Sequence, residues 1–82
     1  IPLDTLLGEL SRADTSEFYA MMGVAWAYAE LFKLDNDRVL GFLSERHADL
    51  RTTRKALSKI CDSLTTTEEY RTRIKEIRKT LK

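Results

Sequence analysis

Proline occurs once in this chain, at Pro2, and the eighty residues after it have none; there are only three glycines. Hairpin chemistry is therefore scarce. Valine and isoleucine together number six, against twelve leucines and seven alanines, which favours helix over strand. The single cysteine excludes an internal disulfide. A chain of 82 residues must then hold its core by packing alone, close to the lower limit for a domain without staples. That cysteine usage suits the cytoplasm or another reducing intracellular compartment. One histidine, one cysteine and no glycine-rich loop leave little for metal, nucleophilic or nucleotide-phosphate chemistry, so no cofactor and no metal is expected. The longest uncharged run, residues 18–29, is twelve residues. Crossing a bilayer takes about 20. No basic start precedes an apolar stretch, so no signal peptide is expected. The chain opens on Ile1 rather than methionine and reads as one helical-bundle domain, 1–82, excised from a longer protein or produced by processing.

What is present is charge, unevenly distributed. The formal net charge is +1. Residues 1–43 carry three basic and seven acidic side chains, a net of −4, while residues 44–82 carry eleven basic and six acidic, a net of +5. Such asymmetry points to an acidic partner for the second half, or to attraction between halves or subunits.

The apolar periodicity gives four helices. Leu3, Leu6, Leu7 and Leu10 fall at i, i+3, i+4, i+7, one helical stripe, ending near Arg12. Asp14 and Glu17 have capping-box spacing and predict a second helix over 15–33. Asp35 or Asn36 is placed to cap a third segment over 37–64, with a break around 47–53 where Thr52 and Thr53 are adjacent β-branched residues. Thr65 and Glu68 form a second box before a fourth helix over 66–81. Short connections make antiparallel neighbours. The expected fold is an all-α up-and-down bundle of four helices, or five if the third segment breaks.

The second helix is apolar nearly all round. Its large apolar side chains, from Phe18 to Phe32, cover roughly 240° of the circumference, where a surface helix needs a stripe of about 100°. Ser16, Ala20, Gly23 and Ala27 fall on the remaining side at spacings of 4, 3 and 4, where small residues admit another backbone. Either this helix is the fully covered centre of the core, or Tyr19, Ala20, Gly23, Trp26 and Ala27 form an interface with a second copy or a partner chain. A mid-helix glycine costs about 1 kcal/mol relative to alanine, so close packing at Gly23 is expected.

Leu43, Leu50, Leu57 and Leu64 recur every seven residues, but the positions four after the first three hold His47, Arg54 and Cys61. A coiled-coil seam needs apolar residues there; the leucines are expected to face the core with Ile60. The fourth helix carries an apolar stripe of Tyr70, Ile74, Ile77 and Leu81 beside a basic stripe of Arg71, Lys75, Arg78 and Lys82. Arg51, Lys55 and Lys59 repeat the basic spacing, and in an antiparallel hairpin the two stripes merge into one face. Such a face suits phosphates, an acidic protein surface or anionic headgroups. No aromatic residue interleaves with these stripes, which argues against base stacking.

The segment Val39, Leu40, Gly41, Phe42, Leu43, Ser44, Glu45 and Arg46 resembles the long first helix of the all-helical chorismate mutases, small dimeric enzymes. The resemblance covers about eight residues and implies a carboxylate-binding role for Arg46. Ala29 stands where that family has an upstream arginine, and the chain contains no glutamine for the late-helix position. The primary expectation is therefore a non-enzymatic protein–protein interaction or oligomerisation module with an apolar helix interface and a basic C-terminal face, and with a homo-oligomer as the first partner. The alternative is a nucleic-acid-binding or regulatory protein using the basic face. A small helical enzyme comes third.

Overall fold

The computed structural model describes residues 2–81, and within them the chain forms an all-α bundle of five helices. These are α1 (Leu3–Ser11), α2 (Phe18–Phe32), α3 (Asn36–Ser44), α4 (Leu50–Asp62) and α5 (Glu68–Thr80). Helix α2 is the common partner: it packs against α1, α3 and most extensively α4, while α5 packs on α4. Leu7, Ala25, Tyr28, Phe32, Leu40, Leu43, Leu57, Ile60 and Ile74 meet in one core. None of the described helices is long and apolar enough to cross a membrane.

The third segment does break, but not at the threonines. Helix α3 ends at Ser44, and Arg46 adopts a left-handed backbone with φ of 64°. Glycine usually takes this position after a helix because a Cβ is unfavourable there. The Arg46 guanidinium donates to the Thr80 carbonyl at 2.8 Å, tying the turn to the end of α5. Asp49 then starts α4, its carboxylate accepting from the Thr52 amide at 3.1 Å and the Thr52 hydroxyl at 2.6 Å. Thr52 and Thr53 are buried inside α4, so the adjacent threonines belong to a helix start rather than a break.

Both expected capping boxes are corrected. Asp14 accepts from the Ser16 amide within its own loop, and Glu17 occupies the N-cap of α2 without a side-chain bond. Thr67, not Thr65, caps α5 through the Tyr70 amide. Thr66 is buried and donates to the Ile60 carbonyl at 2.6 Å, closing the α4–α5 turn. Asp35 does cap α3, accepting from the Arg38 amide. The heptad leucines divide: Leu43 and Leu57 are buried, whereas Leu64 is 97% exposed in the α4–α5 turn.

Polar ties connect the helices at their ends. Asp49 also accepts from the Thr15 hydroxyl at 2.6 Å, joining the α1–α2 loop to α4. Partial burial pushes its carboxyl up, but the bonds from Thr15 and Thr52 outweigh this and hold its pKa below the ordinary value. Asp37 accepts from both Arg73 and the Tyr70 hydroxyl at 2.8 Å, joining α3 to α5. Arg38 donates to Asp4 at 2.7 Å, joining α3 to α1.

One group in the core is unpartnered. Tyr28 is fully buried, and its hydroxyl makes no hydrogen bond. Burial, reinforced by the Asp49 charge, pushes its pKa up to about 12. A buried hydroxyl left unpaired costs about 1–3 kcal/mol.

Tyr28→Phe should therefore stabilise the fold by about 1 kcal/mol, a rise in Tm of about 4–8 °C for a domain of this size. The folded pKa lies above that of the unfolded chain. Stability from this group is thus complete below about pH 10 and lost as pH rises toward 12. Alkaline thermal melts of the phenylalanine variant should lack that part of the decline; a lower Tm at neutral pH would show that the hydroxyl is bonded after all. At the other end of the scale, Asp49→Ala should cost about 1–2 kcal/mol by denaturant titration, the upper range for a lost N-cap. It should cost more than Asp35→Ala, because only Asp49 also holds a distant loop. Since the Asp49 pKa is depressed, its contribution is present above the ordinary carboxylate pKa and disappears as pH falls through the folded value.

Candidate interaction surfaces

Helix α2 is only partly covered by its neighbours. Met21, Ala25, Tyr28 and Phe32 line its buried side. On the outside, Tyr19 is 80%, Trp26 59% and Phe18 53% exposed. Ala20 and Gly23 are exposed as well, and Ala27 is half-buried. All five residues expected at an interface thus sit on or beside the open side of one helix. Nothing lies within 4 Å of the Cβ that an alanine at Gly23 would carry, so packing within the chain does not account for this glycine.

Beside this face α1 and α2 diverge to leave a groove of about 420 Å³. Leu6, Leu10, Trp26, Ala27 and Leu31 line it together with Glu9 and Glu30, whose carboxylates pair with Arg12 at 3.0 Å and Lys33 at 3.4 Å. On the other side of Trp26 lies a second depression of about 300 Å³, where Lys33, Lys59 and Asp62 stand. Trp26 and Glu30 border both. The indole therefore stands between an apolar groove and a polar hollow in which Lys33, paired with Glu30 at 3.4 Å, and Lys59 lie beside Asp62.

The basic stripes merge only in part. Arg51 and Lys55 of α4 and Arg78 of α5 line one depression of about 410 Å³. Lys75 and Arg78 line an adjoining one of similar size. Arg54, outside the expected set, borders both. Lys59 lies elsewhere, in the hollow beside Trp26. Arg71 is occupied: its guanidinium donates to the Cys61 carbonyl at 3.1 Å and the Ser63 carbonyl at 3.0 Å, and pairs with Glu68 at 2.8 Å. It satisfies carbonyls at the end of α4 that have no partner within the helix. Lys82 lies outside the described residues. Among the described residues, no carboxylate stands within 4.0 Å of the charged nitrogens of Arg51, Arg54, Lys55, Lys75 or Arg78.

The basic face also has an aromatic neighbour after all. Phe18, at the start of α2, lines the Arg51–Arg78 depression with Met21. Spacing along α4 and α5 could not show this, because Phe18 reaches the face from a third helix. Its ring meets Tyr19 edge-on, centroids 5.6 Å apart.

His47 lies in the α3–α4 turn, stacked on Phe42 at 4.4 Å and 3.3 Å from Glu45. Cys61 is in the last turn of α4, so the helix holds the two apart. Among the described residues no three His, Cys, Asp or Glu side chains converge as metal ligands would. The segment resembling a chorismate mutase helix forms nine-residue α3, with Arg46 beyond its end and bonded to Thr80. Comparison with protein-family models, curated proteins and solved structures finds no match for this chain.

Proposed function

We propose that the chain is a non-enzymatic self-association module whose α2 face binds a second copy of itself. The observation that carries this reading is Trp26, a large aromatic side chain 59% exposed beside an apolar groove. Exposed aromatic residues next to an apolar depression are the usual anchors of protein interfaces. The surroundings are complementary to themselves. A two-fold axis near Trp26 would set the indole of each copy into the other's α1–α2 groove. An isologous interface requires this self-complementarity. The exposed Gly23 supports the same reading: with no Cβ it admits a neighbouring backbone, as the small-residue spacing suggests.

Light scattering and sedimentation equilibrium should show a dimer at high micromolar concentration; a monomer there defeats the homomeric reading. Trp26→Ala should weaken dimerisation by about 2 kcal/mol or more, as truncating an interface anchor does, with helicity unchanged. Gly23→Ala separates association from folding. It should stabilise the monomer by up to about 1 kcal/mol through helix propensity, yet weaken the dimer. An alanine variant that dimerises as well as the parent removes Gly23 from the interface.

A further inference from the structure

We infer that the cationic face of α4 and α5, with Phe18 as its stacking platform, is a binding site for single-stranded nucleic acid. The two adjoining depressions share Arg54 and Arg78 and so form one continuous track. Arg51 and Lys55 extend it at the Phe18 end, and Lys75 at the other. No acidic side chain lines either depression. Arg54 gives one donor to the Leu81 carbonyl at 3.2 Å, leaving the rest of its guanidinium for a ligand. Arginine's planar fork suits phosphate oxygens, and a row of cations without carboxylate partners suits a chain of phosphates.

Phe18 selects among polyanions. An open aromatic ring among cations offers a face to an unpaired base, whereas a duplex keeps its base faces stacked inside. An acidic peptide would use the charges and leave the ring idle. A membrane-surface helix presents a broad apolar face rimmed with cations; here Phe18 and Met21 are the only apolar residues lining the track.

The test uses the full chain and a fluorescein-labelled oligothymidylate of about twelve nucleotides, followed by anisotropy at several salt concentrations. Five cations on phosphates predict a log Kd–log salt slope of about 3.5, at roughly 0.7 per contact on single strands. The Arg51→Ala, Arg78→Ala double variant should lower that slope by about 1.4. Phe18→Ala should weaken binding about tenfold, in the range for a lost stacking platform, without altering the slope. Phe18 opens its helix and is more than half exposed, so circular dichroism should show an intact fold. Absence of binding at low salt overturns the proposal. So does equal affinity for a duplex of the same length together with a silent Phe18→Ala, and so does capture by phosphatidylserine vesicles without capture of the oligonucleotide. Trp26→Ala should bind the oligonucleotide with an unchanged salt slope, which keeps this site distinct from the dimer surface.

Discussion

The architecture depends on one mismatch: helix α2 has more apolar circumference than four short helices can cover. A nearly continuous apolar surface makes it the natural centre of a small core, and α1, α3 and α4 all pack against it. Yet α1 and α3 are nine residues each, or about 14 Å at the helical rise, against fifteen residues in α2. Met21, Ala25, Tyr28 and Phe32 go inward, and Tyr19, Gly23 and Trp26 remain outside. The two sequence readings of α2, as a core helix and as an interface, thus describe two sides of the same element.

With so small a core, the ends of the helices matter as much as their middles. Asp49 links the α1–α2 loop to α4, Asp37 links α3 to α5, and Arg71 closes the carboxyl end of α4. These are hydrogen bonds from hydroxyls and to a carbonyl at or near the surface, each a modest net contribution to stability. Their effect is geometric: each fixes the direction in which a short helix leaves its turn. Arg46 belongs with them, because a non-glycine residue in the left-handed region costs about 1–3 kcal/mol and needs a bond such as that to Thr80 to hold it.

What was legible in the sequence followed periodicity, and what was missed followed the turns. Of the stripe Leu3, Leu6, Leu7 and Leu10, all but Leu6 reach the core, Leu6 lining the α1–α2 groove, and Tyr70, Ile74, Ile77 and Leu81 reach it as their spacing requires. The Asp35 cap was readable because its side chain serves the adjacent helix. The Asp14 and Thr65 boxes failed because spacing alone does not choose among several neighbouring hydroxyl and carboxyl groups: Thr67 won over Thr65, and Asp14 closed a loop turn instead. The α3–α4 corner, residues 45–49, overlaps the expected break but begins earlier, because its left-handed residue is an arginine where glycine would have been the signal. The five α2 surface residues were legible from helical spacing, whereas Arg54 and Phe18 were not: one fell outside the chosen stripe, and the other is brought to the cationic face only by the tertiary fold.

The charge division between the halves acquires a spatial meaning in the same way. Glu9 and Glu30 beside the apolar groove are each paired with a basic neighbour, Arg12 and Lys33, while the cations without carboxylate partners among the described residues gather on α4 and α5. The two surfaces use different side chains, so the proposed association through Trp26 would leave the cationic track free. A symmetric dimer would then present two such tracks. A strand long enough to reach both would meet the second at a high effective concentration, and weak phosphate contacts on each copy would add to a tighter whole. Association and anion binding are in that case coupled through geometry alone, with no change of shape required in either subunit.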